Sequence, residues 1–134
     1  MATKVLDSWA LMALFNDEPA AATVEKLLIK ASTGSTQLLM TVINWGEIYY
    51  SIMRGASQDL AEQHAREIQA MPIELVPIEK DLALVRQAAI FKAAKKLAYA
   101  DAFAAGLAKI RNAELVTGDR DFKTVEDEIK IAWL

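Results

Sequence analysis

The sequence predicts an α/β fold with three layers, α/β/α, around a mainly parallel central sheet. Short apolar runs typical of buried strands alternate with longer segments whose apolar residues recur at helical spacing. Acidic residues follow several of these strands, at the sheet edge where open α/β folds bind their ligands. The chain has 134 residues without repeats or linkers, and it is expected to form one domain, 1–134.

Six elements are predicted in the first half of the chain: a strand at 3–6, helices at 8–15 and 19–31, a strand at 38–41, and helices at 42–53 and 57–70. Asp7 or Ser8 is suited to cap the first helix, and Pro19 is favoured at the first position of the second. The third helix carries an apolar and aromatic stripe, and Gly55 is expected to end it as a glycine cap. Pro72 ends the fourth helix.

Six more elements are predicted after Pro72: a strand at 73–76, helices at 79–96 and 99–111, a strand at 114–117, one helical turn at 121–125 and a strand at 129–133. The helix at 79–96 is predicted from the spacing of Leu82, Val85 and Ala89, and it is expected to end in the basic pair Lys95-Lys96. The helix at 99–111 is apolar on nearly every side, which indicates burial, and its alanines and glycine favour close packing.

Composition excludes several kinds of protein. The absence of cysteine excludes disulfides, thiolate zinc sites and a cysteine nucleophile. The lone histidine, His64, excludes chemistry that needs two histidines, and it is expected at a solvated surface position. A net charge of −3 argues against nucleic-acid binding through a broad basic surface. No signal-peptide core is seen and no apolar run reaches the ~18 residues of a membrane helix, so a cytoplasmic protein without membrane contact is expected.

Four acids, Asp7, Glu47, Asp101 and Asp119, are predicted to meet at the carboxyl edge of the sheet. Each of them has a structural alternative when it is taken alone. Asp7 and Asp119 lie at strand-to-helix junctions, where aspartate caps backbone N–H groups. Glu47 follows Asn44 at the spacing of a capping box. A further acid in the same region, Asp121, is more typical of a first-turn helix acid than of a ligand.

Asp101 lies in the helix least able to accommodate a charge, where an ionised carboxylate costs several kcal/mol unless it is paired or bound to a metal. A buried salt bridge to Lys95, Lys96 or Lys109 is the structural alternative. Two like charges ~5 Å apart repel by roughly 3 kcal/mol at an effective dielectric of about 20, so four clustered acids require a cation.

Oxygen-only ligands favour Mg²⁺ or Mn²⁺, and such ions commonly act on substrate phosphates. The pattern therefore predicts phosphodiester hydrolysis. Ser8 and Thr117, each next to an acid, are candidates to hydrogen-bond a ligand or a metal-bound water; ordinary strand-end hydroxyls are the alternative.

Four segments carry a family resemblance: VLDS at 5–8, INWGEIYY at 43–50, LAYADAF at 97–103 and LVTGDRDF at 115–122. In this order and at this length, the chain resembles the PIN-domain nucleases, and specifically the VapC toxins of type II toxin–antitoxin pairs. The likeness covers essentially the whole chain, and the last two segments are the most specific.

The resemblance implies a sheet flanked by helices and a Mg²⁺- or Mn²⁺-dependent endoribonuclease that acts on RNA. It also implies a homodimer and inhibition by a small VapB-like antitoxin. It implies four acids that are both catalytic and metal-binding, namely Asp7, Glu47, Asp101 and Asp119. Asp121 is implied as an accessory metal ligand. Trp9 stands where relatives usually carry a smaller residue and Arg120 where proline is frequent, so the shape of the site and its choice of RNA are expected to differ from theirs.

Two rival functions are weaker. Aspartate-nucleophile phosphatases need an Asp-x-Asp pair after the first strand, whereas this chain has Asp7-Ser8-Trp9. A non-catalytic PIN-like module that only binds RNA or a protein should lack some of the acids, and none is missing. Cleavage of DNA stays open, because no residue visibly reads a 2′-hydroxyl.

Two surfaces are predicted to meet partners. Lys95 and Lys96 are candidates to steer RNA phosphates, although a basic pair that complements the helix dipole is the alternative. Trp45, Tyr49 and Tyr50 lie beside Glu47 and predict a docking surface for an antitoxin helix that inserts an arginine or lysine among the acids. Core packing is the alternative for these aromatic residues.

Overall fold

The computed structural model describes residues 2–134. Its elements in chain order are β1 (Ala2–Leu6), α1 (Ser8–Phe15), α2 (Ala21–Ser32), β2 (Thr36–Thr41), α3 (Val42–Gly55), α4 (Gln58–Ala70), β3 (Ile73–Val76), α5 (Ala83–Ala94), α6 (Tyr99–Ile110), β4 (Glu114–Thr117), a 3-10 helix (Arg120–Val125) and β5 (Ile131–Trp133). Every predicted strand and helix is present, and most boundaries agree within two residues.

The five strands form one sheet in the order β3-β2-β1-β4-β5, and all four pairings are parallel. The predicted parallel sheet is therefore confirmed. The strand order changes direction at β1, with β2 on one side of it and β4 on the other. The carboxyl ends of β1 and β4 are neighbours, since Leu6 is paired with Val116. This is the switch point at which open α/β sheets bind ligands.

Alternate residues of the central strands face two separate cores, as the period of a strand requires. Val5 and Leu115 belong to the core beneath α5, α6 and the 3-10 helix. Leu6 and Val116, one residue further on, belong to the core beneath α1 to α4. Helices thus cover both faces of the sheet, which confirms the three-layer architecture.

The burial predicted for α6 is confirmed, because every residue from Asp101 to Ala108 is buried. Close packing by its small residues is confirmed as well. A Cβ added at Gly106 would lie 3.3 Å from the backbone nitrogen of Ala88 in α5. A larger residue at Gly106 would push apart the two helices that cover this face of the sheet.

The prediction for α5 is wrong at both ends. Leu82 is exposed and adopts a left-handed conformation with φ 62°, and the Asp81 carboxylate accepts a hydrogen bond from the Ala83 N–H at 3.1 Å. The helix consequently starts after Leu82. It also ends before Lys95, which is extended, so the basic pair lies outside the helix. The face that α5 buries is Leu84, Ala88 and Phe91.

Other expectations also need correction. Gly55 is the last residue of α3 and has no positive φ, so it is not a left-handed glycine cap. The strand predicted to begin at 129 begins at Ile131. His64 is not solvated: its side chain is 15% exposed, its ring stacks on Phe15 with centroids 4.0 Å apart, and Nδ1 lies 2.8 Å from the Glu67 carboxylate.

None of the helices formed by residues 2–134 combines the length and the apolar character that crossing a membrane would require.

Candidate functional site

Asp7 follows β1 directly and is buried, with 1% of its surface exposed. Its Oδ1 accepts a hydrogen bond from the Ala10 N–H at 3.0 Å, so Asp7 caps α1. Its Oδ2 accepts one from the Thr117 hydroxyl at 2.5 Å, across the switch point. Burial raises the pKa of Asp7 to about 7; the two hydrogen bonds oppose this rise, and the charges of Asp101 and Asp119 add to it. Asp7 therefore caps α1 and also belongs to the acidic cluster.

Asp101 lies in the first turn of α6 and is 9% exposed. The predicted salt-bridge alternative is wrong. Lys95 pairs with Asp127 and Glu128, Lys109 pairs with Glu128, and no ion pair within residues 2–134 involves Asp101. The pKa of Asp101 is raised to about 7, chiefly by burial and secondarily by the charges of the nearby acids Glu47, Asp119 and Asp121. Asp101 is thus a buried acid without a cationic partner among residues 2–134.

Glu47 lies on α3, and Ser8 donates a hydrogen bond from Oγ to its Oε1 at 2.5 Å. The capping-box alternative for Glu47 is wrong, because the N-cap of α3 is Thr41 and not Asn44. The Thr41 hydroxyl oxygen accepts from the Asn44 N–H at 3.0 Å. Glu47 is therefore held by a residue of α1 beside Asp7, and not by its own helix end.

Asp119 and Asp121 complete the group. The Asp119 Oδ1 accepts from the Asp121 N–H at 3.0 Å, so Asp119 caps the 3-10 helix, and its own N–H donates to the Thr117 hydroxyl oxygen at 3.0 Å. Carboxylate oxygens of Asp101, Asp119 and Asp121 all lie within 4.8 Å of one another. Asp121, which the sequence suggested was only a helix-turn acid, belongs to this tightest set. Asp7 and Glu47 adjoin the set through their charge interactions with Asp101.

Asn44 was missed as a functional residue by the sequence reasoning. It is fully buried, its Oδ1 accepts from the Thr41 hydroxyl at 2.5 Å, and its Nδ2 donates to the Ala100 carbonyl at 3.1 Å. Ala100 precedes Asp101, so Asn44 ties the start of α3 to the first turn of α6. The sequence contains a local signal for this role, because Thr41 is a typical N-cap residue and Asn44 carries an amide three residues later.

In the part of the chain that the structure describes, the five acids have no compensating cation. Within residues 2–134, none of the ion pairs involves any of the five acids. Arg120 lies between two of them in sequence, but its guanidinium carbon is 4.6 Å from the centroid of the Trp133 ring. A set of carboxylate oxygens with two pKa values near neutrality suits a hard divalent cation, which would displace the protons and neutralise the repulsion.

Gly118 and Trp9 form one wall beside the acids. Among the glycines of residues 2–134 only Gly34 has a positive φ, so the backbone conformation at Gly118 does not require glycine. The reason for glycine is space. A Cβ at Gly118 would lie within 3.0 Å of three atoms of the six-membered ring of Trp9. The indole therefore packs directly on the backbone that leads into Asp119.

The comparisons with known proteins point to one family. A family model described as the PIN domain matches residues 4–128. A comparison with curated proteins gives no significant match.

Several solved structures share the fold. The chain is similar to DNA-bound VapBC from Salmonella typhimurium, with a TM-score of 0.76, 16% identity and 98% of each chain covered. It is similar to VapBC-1 from nontypeable Haemophilus influenzae, with a TM-score of 0.69, 18% identity, and 98% of this chain and 97% of that chain covered. For VapC20 of Mycobacterium tuberculosis, described as a sarcin-ricin loop cleaving toxin, the TM-score is 0.69 at 16% identity, with 90% of this chain and 92% of that chain covered. At these identities the likeness establishes the fold.

Proposed function

The chain belongs to the PIN domain family, and from this premise we propose that it is a Mg²⁺- or Mn²⁺-dependent endoribonuclease, acting as one domain over residues 1–134. The observation that carries the proposal is the meeting of five acids, without a cation partner in residues 2–134, at the switch point of a parallel sheet. Two of them, Asp7 and Asp101, have pKa values raised to about 7. Perturbed acids at such a position are typical of a functional site.

The residues that would hold the metal are Asp7, Glu47, Asp101, Asp119 and Asp121. They offer oxygen atoms only, which Mg²⁺ and Mn²⁺ prefer over nitrogen or sulfur. When bound, such an ion supplies Lewis acidity to a phosphate oxygen and lowers the pKa of a coordinated water. We assign catalytic roles to Asp7, Glu47, Asp101 and Asp119. We regard Asp121 as an accessory metal ligand.

The surrounding side chains hold these acids in place. Thr117 and the Ala10 N–H orient the two oxygens of Asp7, and Ser8 orients Glu47. Asn44 sets the position of α6 and hence of Asp101. Such positioning matters because a displacement of about 1 Å at a reacting centre can lower a rate about 100-fold.

We further propose that the protein is the toxin of a toxin–antitoxin pair. The similar solved structures support this, because they include VapBC complexes and a toxin–antitoxin complex from Klebsiella pneumoniae. An antitoxin would inhibit the enzyme by placing an arginine among the unpaired carboxylates, to which its guanidinium binds through two hydrogen bonds. A homodimer and a cytoplasmic location follow from the same assignment.

The docking surface for this partner lies on α3. Trp45 and Tyr49 stack with ring centroids 5.5 Å apart and pack partly on the core, while Tyr50 is 50% exposed. A cavity of about 330 Å³ between α3 and α4 is lined by Trp45, Leu75 and residues of α4. Large aromatic side chains beside a cavity are typical anchors for a partner helix.

The proposal is tested with the purified protein, a pool of RNAs and Mg²⁺ or Mn²⁺, followed by mapping of the cut ends. We expect internal cuts by the wild type and by Glu25→Gln, which removes an exposed acid of α2 that is not one of the five site acids. Binding of RNA without any cut would instead support the non-catalytic module.

The toxin assignment has its own test. A small protein encoded beside this one should co-purify with it and abolish cleavage, and replacing its inserted basic residue by alanine should restore cleavage while much of the binding remains. A bound partner that leaves cleavage untouched would remove the toxin assignment and leave the nuclease.

A further inference from the structure

Trp9 gives the acidic site an aromatic neighbour. It lies two residues after Asp7, in the first turn of α1, and its six-membered ring packs on Gly118, the residue before Asp119. Trp9 is only partly buried. Its indole N–H has no hydrogen-bond acceptor within residues 2–134, and no buried side-chain polar atom there is unsatisfied, so this N–H is open to solvent.

Two adjoining cavities meet at this indole. One, of about 410 Å³, is lined by Trp9, Glu18, Pro19, Ala20, Thr23 and Leu134. The other, of about 250 Å³, is lined by Trp9, Met12, Ala13, Asn16 and Glu18. Trp9 and Glu18 line both cavities. The space beside the indole, on the helix that begins directly after Asp7, is therefore large enough for a flat aromatic ring.

The chemistry of the lining favours a neutral ring over a phosphate. Neither cavity is lined by lysine or arginine, and the carboxylate of Glu18 would repel an anion. The apolar walls and the indole suit a stacked ring, while Glu18, Asn16 and the Thr23 hydroxyl offer hydrogen bonds at its edge. Nucleobases combine these properties, since each has a π-face and polar edges.

We propose that Trp9 and Glu18 form a nucleobase subsite, in which the base next to the cleaved phosphate stacks on the indole and its exocyclic amino group donates to the Glu18 carboxylate. This rests on the proposed nuclease function and deepens it by naming residues that select the RNA. Adenine, cytosine and guanine carry an exocyclic amino group and uracil does not. The subsite therefore discriminates against uracil at this position.

The experiment first maps the preferred cut in a randomised RNA pool with the wild type, and then uses a short RNA with that sequence. An abasic nucleotide replaces the one on each side of the cut in turn. In the wild type, one abasic replacement should raise KM about 5- to 150-fold, the range that base–aromatic stacking supplies, with a smaller effect on kcat. In Trp9→Leu the intact RNA should show most of that rise in KM, and the abasic replacement should add only the smaller part that comes from losing the contact with Glu18.

Three further variants sharpen the test. Trp9→Phe keeps a stacking ring and should restore much of the lost affinity. Glu18→Gln changes an exposed side chain, and it should relax the discrimination against uracil about tenfold. Glu25→Gln removes another exposed acid, one on α2 that lines neither cavity, and it is the matched control for Glu18→Gln that should keep the cutting preference.

The contradicting results are distinct. If the wild type cuts no RNA, the proposed function fails and this inference with it. If the wild type cuts but the abasic replacement costs the same in wild type and Trp9→Leu, the inference alone fails. It also fails if Trp9→Leu keeps the preference and loses only inhibition by the antitoxin, which would mark a protein-docking surface. If Trp9→Leu does not fold, an unchanged preference in Glu18→Gln overturns it.

Discussion

Replacing Asp101 by asparagine should stabilise the metal-free protein while abolishing its activity. The pKa of Asp101 rises from 3.8 to about 7, chiefly because the carboxylate is buried and secondarily because Glu47, Asp119 and Asp121 repel it. This rise corresponds to about 4 kcal/mol of unfavourable free energy in the ionised folded state above pH 7. Asparagine has the same shape without the charge, but its buried amide retains part of the desolvation cost. We therefore expect a gain of roughly 2–4 kcal/mol at pH 8.

The pH dependence of this gain follows from the sign of the shift. Because the pKa is higher in the folded state, the folded protein binds a proton that the unfolded chain has released, and stability falls as pH rises from about 4 to about 7. Above the pKa of Asp101 in the folded protein, this loss of stability is complete. Asp101→Asn escapes this loss, so its advantage over the wild type should be small near pH 4 and largest above pH 7.

Thermal and urea unfolding with a chelator at pH 5 and pH 8 measure the effect. For a chain of this length, the gain at pH 8 should raise Tm by roughly 6–16 °C. The gain at pH 5 should be less than half as large, and Mg²⁺ should stabilise the wild type more than the variant. Glu25→Gln should show neither effect. Two results would refute the electrostatic account of the site. One is an Asp101→Asn protein that is no more stable than the wild type at pH 8. The other is a stability gain over the wild type that is the same at pH 5 and pH 8.

Four other outcomes follow from the same structure. Asp7→Asn and Asp101→Asn should each lower RNA cleavage at least about 100-fold with the circular dichroism spectrum unchanged, and a normal rate in either variant would exclude that residue as a ligand. Mg²⁺ or Mn²⁺ should support cleavage and Ca²⁺ should not, because Ca²⁺ accepts looser geometry; full cleavage with Ca²⁺ would contradict the assignment of the ion. Asn44→Ala should lower kcat and cost roughly 1–3 kcal/mol in urea unfolding, because the buried Thr41 O–H loses its acceptor and the Ala100 carbonyl loses its donor, and an unchanged kcat would show that Asn44 does not position Asp101. Gly118→Ala should cost roughly 1–3 kcal/mol alone and much less together with Trp9→Ala, and equal costs in both backgrounds would exclude their contact.

Much of the fold was predictable because its signals are local. The alternation of apolar runs with segments of helical spacing predicted all five strands, and Pro72 marked the end of α4. Predicted boundaries were wrong where the conformation or hydrogen bond of a single residue overrode the apolar spacing. At the start of α5, the Asp81 cap and the left-handed Leu82 override an apolar spacing that would otherwise continue the helix.

The site was predictable as a set of acids but not as a geometry. That Asp7 and Asp119 stand at strand ends is visible in the sequence, whereas the pairing of Asn44 with Ala100 joins residues 56 positions apart. The space that glycine leaves at position 118 is likewise filled by an indole from another element, α1. Contacts between distant segments decide these features, and no local pattern reports them.

The most direct test of the account is the rate of cleavage of one mapped RNA by the wild type and by Asp101→Asn, first after exhaustive chelation and then during titration with Mg²⁺ or Mn²⁺. We predict no cleavage by the chelated wild type, recovery as the ion is added, and less than about 1% of that rate for Asp101→Asn at every concentration. Cleavage at the full rate without metal, or a normal rate in Asp101→Asn, would contradict the claim that these acids hold a catalytic cation.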